Sequence, residues 1–247
     1  MQIIPLSEGA FTVDKSKKFI PFDLKKDDLQ KRSPGSLLVE IQPFLVITSK
    51  DILLLDTGLG FLGPDGIMQI HKNLSVHGIS ASDITKVLMS HLHKDHAGGI
   101  SLHTSNQVTL SVSFENAVYY INRNEFNLAF EKANPSYNTE QFEVLRHSDQ
   151  IHLTEGIGVI DDYIKYEVTG GHSPFHQVFW IVEDGEKIFF GGDVAPQYQQ
   201  MKRRFAAKYD FEGKKSMELR QHWWKRGEEE KWSFLFYHDI RCPIFKF

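Results

Sequence analysis

The chain has 247 residues, 41% hydrophobic and 24% charged, with 28 Lys/Arg against 32 Asp/Glu for a formal net charge of -4. That balance excludes a disordered chain, supplies enough apolar residues for one large core, and argues against broad binding to the phosphates of nucleic acids. Two counts stand out, twelve histidines and a single cysteine. One thiol, Cys242, makes no internal disulfide and no all-cysteine metal site, so any metal has to be held by nitrogen and oxygen.

The opening residues 1–8 carry no basic stretch leading into a long apolar run, and Glu40 and Gln42 interrupt the strongest apolar region. A soluble, cytoplasmic protein without a membrane span is therefore expected. No repeat or Gly/Ser/Pro-rich linker divides the sequence, which reads as one domain over residues 1–247. Residues 1–36 mix a short apolar start with lysines at 15, 17 and 18 and a charged stretch at 23–32, and read as an N-terminal arm or lid. From Leu37 the texture changes to short β-rich runs at 37–41, 44–48 and 52–55, bounded by Pro43, Lys50-Asp51 and Gly58. A helix is expected within 66–78, a further turn from Ser82-Asp83, and a strand at 87–90 that ends at His91. Beyond it the pattern gives a strand at 117–121, helices at 123–131 and 139–146, and strands at 163–169, 177–182 and 187–190. Asp184-Gly185 suits a tight hairpin between the last two. Residues 198–231 read as a charged helical insert and 233–237 as a final strand. Two batches of strands with helices between them imply an α/β (α+β) layered sandwich, sheets inside and helices outside.

Chemistry concentrates at the ends of these strands. The densest cluster is Ser90-His91-Leu92-His93-Lys94-Asp95-His96-Ala97-Gly98-Gly99, and a His-x-His-x-Asp-His match arises by chance with a probability of about 0.002 at this composition. Alternate residues of an extended segment share a face, so His91 and His93 can converge on one metal while Asp95 and His96 begin the next turn and reach a second position. Four donors from six residues do not close on one tetrahedral ion, so further partners are needed. Candidates follow three later strands: His172 in Gly170-Gly171-His172-Ser173, Asp193 in Gly191-Gly192-Asp193, and His238 in Tyr237-His238-Asp239.

On these motifs the chain resembles the metallo-β-lactamase fold superfamily of metallohydrolases, from about Leu37 to His238 and with the motifs in the expected order. Ile52-Leu53-Leu54-Leu55-Asp56-Thr57-Gly58 resembles the first motif, residues 91–96 the second, and His172, Asp193 and His238 the third to fifth. The resemblance implies a four-layer αββα sandwich. It also implies two divalent metal ions, zinc foremost with iron or manganese as alternatives: one held by His91, His93 and His172, the other by Asp95, His96 and His238, with Asp193 bridging and Asp56 orienting ligands. Such a pair activates a bridging hydroxide and polarises the substrate oxygen, with Asp95 or Asp193 returning a proton to the leaving group.

Within the superfamily the chain is most similar to lactonase-like and esterase-like members, which share Ser-His-Leu-His-x-Asp-His-Ala-Gly-Gly and a following segment like residues 116–125. Phe175 stands where a glycine is common. Members of that group place a tyrosine after the bridging aspartate to hydrogen-bond the carbonyl; here the candidate catalytic residue is Tyr198, five positions beyond Asp193. The reading is a hydrolase of a small ester or lactone. Its rivals are a mononuclear iron oxygenase acting on a sulfur substrate and a phosphodiesterase or nuclease. A small-molecule substrate is expected, with no nucleic acid and no membrane; a homodimer is compatible with the aromatic stretch around Trp223-Trp224. Ten Lys/Arg against six Asp/Glu in residues 202–231 read first as a solvated helical face. His71, His77, His103, His147, His152 and His222 read as surface or capping residues, and His176 as either incidental or supporting the ligands.

Overall fold

The structure, a computed structural model, describes residues 1–104, 107–131 and 134–247, with backbone alone for 103–104 and 107–110. The side chain of His103, and with it the surface role expected for it, lies outside the described residues.

Two six-stranded sheets carry the architecture. The first runs in the order Gln2–Pro5, Phe44–Ile47, Ile52–Leu55, Lys86–Leu88, Val118–Asn122, Ile151–Thr154; the second runs Ile157–Ile160, Ile164–Val168, Gln177–Glu183, Glu186–Phe190, Ser233–Leu235, Ile244–Lys246. Their central strands are apolar at almost every position because both faces are covered. Phe44, Val46, Leu53, Leu55 and Leu88 point inward to meet Ile164, Phe179, Ile181, Ile188 and Phe190 from the other sheet. The intervening Leu45, Leu54, Val87 and Tyr119 face outward onto Ile70 and Leu74 of helix Gln69–Val76 and Phe126 of helix Arg123–Glu131. Val178, Trp180, Phe189 and Phe234 face the opposite way, onto Trp223 of helix Gly213–Glu230. Period-2 alternation thus divides the core into three apolar layers and yields helix, sheet, sheet, helix, the αββα layering expected. Each fully buried large side chain contributes roughly 1.5–3 kcal/mol of transfer free energy to that stack.

Several elements differ from the pattern. Residues 2–13 contain strands: Gln2–Pro5 pairs antiparallel with Phe44–Ile47, and Gly9–Val13 pairs with both Leu37–Ile41 and Phe19–Pro21 in a three-stranded sheet. Ile4, Leu6, Ala10 and Phe11 are buried there, an anchoring that the nearby lysines mask in the sequence. The segment 139–146 forms two short 3-10 turns, Thr139–Gln141 and Glu143–His147, instead of one helix. The insert at 198–231 is not continuous either. It has a short helix, Tyr198–Lys202, and the long Gly213–Glu230, with a non-helical stretch between them that returns to the site described next. Asp184 and Gly185 do make the tight hairpin, with φ of +50° and +79° as a type I′ turn requires.

Candidate metal centre

The histidines and aspartates gather at one edge of the sandwich, on loops that leave the strands. His91 lies three residues beyond Lys86–Leu88, and His93 precedes the one-turn helix Lys94–Ala97, whose His96 N–H donates to the His93 carbonyl at 2.9 Å. Asp193 lies in a single 3-10 turn after Glu186–Phe190, and His238 follows Ser233–Leu235. Glycine sets the seating of the first loop. The Thr57 N–H donates to the His96 carbonyl at 2.7 Å and the Gly98 N–H to the Gly58 carbonyl at 2.8 Å, and a Cβ on Gly98 would sit 2.1 Å from the Leu59 carbonyl carbon. Ala-Gly-Gly after His96 is therefore what lets two backbones touch.

Donor atoms converge in two principal groups, His91/His93/His172 and Asp95/His96/His238, each with its atoms within 4.8 Å of one another. Asp193 stands between them. Its Oδ1 lies 3.1 Å from His96 Nε2 and 3.0 Å from His238 Nε2, while its Oδ2 lies 3.3 Å from His172 Nε2. A third combination, Asp56/His91/His96, also satisfies the distances, but the Asp56 carboxylate is already filled. Its Oδ1 accepts from the Ser90 N–H, and its Oδ2 from the Ser90 hydroxyl and His96 Nδ1, all at 2.7 Å. Asp56 also holds φ at +55°, a conformation a non-glycine residue adopts at a cost of roughly 1–3 kcal/mol.

The outer nitrogens of His91, His96, His172 and His238 are occupied. Nδ1 of His91 is 3.0 Å from the Ser90 hydroxyl, that of His172 is 2.9 Å from Asp210 Oδ1, and that of His238 is 2.7 Å from the Glu40 carbonyl. Hydrogen bonds of this kind fix a ring so that its other nitrogen faces inward. Inside, the accounting reverses: His91 Nε2, His96 Nε2 and Asp193 Oδ1 are buried without a hydrogen-bond partner. Unpartnered buried polar atoms are rare and costly, and nitrogen and carboxylate donors aimed at common points fit divalent cations. The electrostatics follow from the same crowding. Burial, with repulsion from neighbouring imidazoles, lowers the pKa of His91 and His93 well below the ordinary value. Burial also opposes charge on His96 and Asp193, yet the opposite charges around them prevail, holding His96 well above and Asp193 well below their usual ranges.

His176 holds the turn that carries Asp193. Its Nε2 accepts from the Asp193 backbone N–H at 3.1 Å and its Nδ1 faces the Thr169 hydroxyl at 3.3 Å. Tyr198 packs in the outer apolar layer. Its ring packs on Trp224, Phe236 and Phe245, and its hydroxyl accepts from Lys202 at 3.3 Å, so its contacts are with the outer apolar layer and not with the histidines. Tyr209 stands nearer, with its ring 6.1 Å from that of His172 and its hydroxyl pushed up to about 12 by burial. Of the remaining histidines, His77 caps helix Gln69–Val76, His147, His152 and His222 are exposed, and His71 is half-buried against the Ser113 hydroxyl at 2.6 Å.

Sequence reasoning missed several supporting residues. Asp210 and Tyr209 sit in residues 203–212, where the only local signal is a carboxylate flanked by two aromatics within an otherwise helical pattern. Glu125 ties two ligand loops together: it accepts from Tyr137 at 2.8 Å, from the Leu92 N–H at 3.3 Å and from Ser173 at 2.9 Å. Tyr237 donates to the Asp95 carbonyl at 2.6 Å and stacks on His96 with ring centroids 4.1 Å apart. Beside the cluster a cavity of about 310 Å³ is lined by His93, His172, Tyr137, Tyr209, Phe211 and Leu128 among others. A larger one of about 750 Å³, against His71, Ser113 and His147, shares none of those lining residues. The basic residues of the long helix are largely spoken for: Lys214, Lys225 and Arg226 pair with Glu218, Glu229 and Glu230, and Arg220 is buried, donating to the Val194 carbonyl. Among the described residues no helix is long and apolar enough to cross a membrane.

The sequence profile of the metallo-beta-lactamase superfamily matches residues 40–226. The chain belongs to that superfamily. Its fold agrees with solved structures of the superfamily at low identity. A protein from Staphylococcus aureus described as a probable metal-dependent hydrolase aligns at 23% identity with a TM-score of 0.78, covering 99% of this chain and 91% of that one. AidC, a dizinc quorum-quenching lactonase in complex with a product, aligns at 18% and 0.74, covering 98% and 88%. An N-acyl homoserine lactone hydrolase with N-hexanoyl-L-homoserine bound at its catalytic metal centre aligns at 19% and 0.68, covering 96% and 93%. No curated protein matches this superfamily member in sequence. Superfamily membership and fold therefore agree.

Proposed function

We propose that the chain is a dinuclear metal-dependent hydrolase of a small ester or lactone. In this reading His91, His93 and His172 hold one divalent ion, Asp95, His96 and His238 hold the other, and Asp193 bridges them. The observation that carries it is the buried, unsatisfied trio of His91 Nε2, His96 Nε2 and Asp193 Oδ1, lying between two donor groups that share one carboxylate. The ions, zinc foremost, supply a water that ionises near neutral pH and Lewis acidity for the substrate oxygen.

The rest is done by the chain. Asp56, Ser90, Asp210 and the Glu40 carbonyl hold the imidazoles in orientation, so that the donors are in place before substrate arrives. Asp95 and Asp193 are the carboxylates able to carry a proton to the leaving oxygen. The cavity, with Tyr137, Leu128, Pro174 and Phe211 among its walls, suits a compact acyl or lactone group, at a volume near the lower end for small-molecule sites. The lactonase neighbours support that substrate class. The test is turnover of a panel of lactones, thioesters and phosphodiesters by metal-loaded protein, with a chelated control. Ester or lactone hydrolysis that is lost on chelation and restored by zinc is expected; cleavage of phosphodiesters alone overturns the reading.

A further inference from the structure

Residues 203–212 interrupt the helical insert and return to the metal centre, and backbone hydrogen bonds fix the return. The Phe211 N–H donates to the His172 carbonyl at 3.0 Å and the Glu212 N–H to the Gly171 carbonyl at 2.8 Å. Asp210 is turned inward, with its side chain 1% exposed and its Oδ1 2.9 Å from His172 Nδ1. Tyr209 and Phe211, on either side of it, stay 37% and 59% exposed, yet both line the cavity beside the donor cluster. Two large rings left open to solvent, on a backbone tied to a ligand loop, mark a contact surface.

The rest of the lining indicates what that surface contacts. Among the described residues it has no lysine or arginine, and its one carboxylate, Asp210, is buried against His172. A charged group entering the cavity would therefore lose hydration without meeting a free counter-charge. Tyr137 brings a third ring. Its hydroxyl is engaged by Glu125 at 2.8 Å and its centroid lies 4.9 Å from that of His93, so what it has left to offer is the ring itself. Ser173 is engaged in the same way, donating to Glu125 at 2.9 Å. Aromatic side chains gather another ring in edge-to-face or offset contact, an attraction beyond what their apolar area supplies.

We propose that Tyr209, Phe211 and Tyr137 form an aromatic subsite that selects an uncharged aromatic ring on the substrate. The substrate class becomes a neutral, aryl-bearing ester or lactone, with the ring on its acyl or its alkoxy side. The subsite rests on the hydrolase reading above and deepens it: Asp210 holds His172 while its two neighbours in the chain contact the substrate.

Binding and turnover separate the two claims, and each uses ring-bearing compounds matched to cyclohexyl ones of similar shape. Calorimetry on metal-loaded protein compares N-benzylacetamide with N-(cyclohexylmethyl)acetamide, and N-methyl-3-phenylpropanamide with its cyclohexyl counterpart, none of which carries an ester. Turnover compares benzyl with cyclohexylmethyl acetate for a ring on the alkoxy side, and methyl 3-phenylpropanoate with methyl 3-cyclohexylpropanoate for one on the acyl side. In at least one pair the aromatic compound is expected to bind and react better by about fivefold or more, the scale of aromatic pairing. The cyclohexyl partner is the more hydrophobic, so transfer from water alone would favour the opposite order. The pair that shows the preference locates the ring. Phe211→Leu combined with Tyr209→Leu should bring the ratio close to one through KM, while turnover of the cyclohexyl esters reports that catalysis is intact. Phe211→Tyr should keep the ratio, as should Phe205→Leu, which removes an exposed ring of the same segment that does not line the cavity. A ratio near one in every pair, a parental ratio in the double variant, or an equal fall in Phe205→Leu overturns the subsite while ester hydrolysis stands. Preferential binding of the aromatic amides without turnover of any ester leaves the subsite standing and removes the hydrolase reading.

Discussion

The ring of His176 accepts a hydrogen bond at Nε2 from the backbone N–H of Asp193, 3.1 Å away, and so fixes the turn that carries the shared carboxylate. The fit is close, since a Cβ on Gly192 would lie 2.7 Å from the same nitrogen. His176 donates nothing to the metal groups, so His176→Ala should leave the ligands present but loosen Asp193. A loss of metal affinity or activity of about 10–100-fold is expected, the range found when groups that orient ligands are removed. Metal titration followed by chelator competition measures it, and unchanged affinity contradicts the positioning role.

Asp210 acts on His172 in the same way, through Nδ1 at 2.9 Å. Asp210→Ala is expected to weaken metal binding by a similar factor, whereas Asp210→Asn, which keeps an acceptor oxygen, should recover part of it. Equal losses in the two variants would show that the hydrogen bond is not what matters.

Tyr198→Phe should leave kcat/KM within about twofold, because among the described residues the hydroxyl it removes hydrogen-bonds only with Lys202, and surface changes of this size usually stay within ±0.5 kcal/mol. Steady-state kinetics on any substrate from the panel decides it; a drop of an order of magnitude returns Tyr198 to the reaction.

The division between what was legible in the sequence and what was not follows contact distance along the chain. His91, His93, Asp95 and His96 fall within one short loop, so their spacing alone announces a donor cluster, and Asp184-Gly185 carries its own turn geometry. The alternation of Phe44, Leu45 and Val46 between two cores is likewise written locally. Asp210 meets His172 from 38 residues away and Tyr237 meets Asp95 from 142 away, and no local period encodes either contact. Tyr198 had the right residue type at a plausible offset, but the helix that begins there turns its ring toward Trp224 and Phe245. The strands Ile151–Thr154 and Ile157–Ile160 were hidden for another reason: they are sheet edges, half exposed, and lack the continuous apolar run of the central strands.

Burial pushes the Glu8 carboxyl up to about 8, although the Leu59 N–H donates to it at 2.7 Å. The folded state therefore holds this proton more tightly than the unfolded chain, where the ordinary value is 4.5. Its contribution is intact below the unfolded value and is lost as pH rises through the folded one. Glu8→Gln removes the titration, so the stability of the variant relative to its parent should grow with pH across that window. Urea unfolding at a series of pH values measures the difference; one that is flat or shrinks with pH contradicts the assignment.

The central claim is that two ions share Asp193. Elemental analysis of protein purified without added metal, beside the Asp193→Ala variant, tests it most directly. Two divalent ions per chain in the parent, and loss of metal together with hydrolysis in the variant, are the expected results. One iron per chain with oxygen consumption, or full hydrolysis by protein from which the metal has been lost, would contradict it.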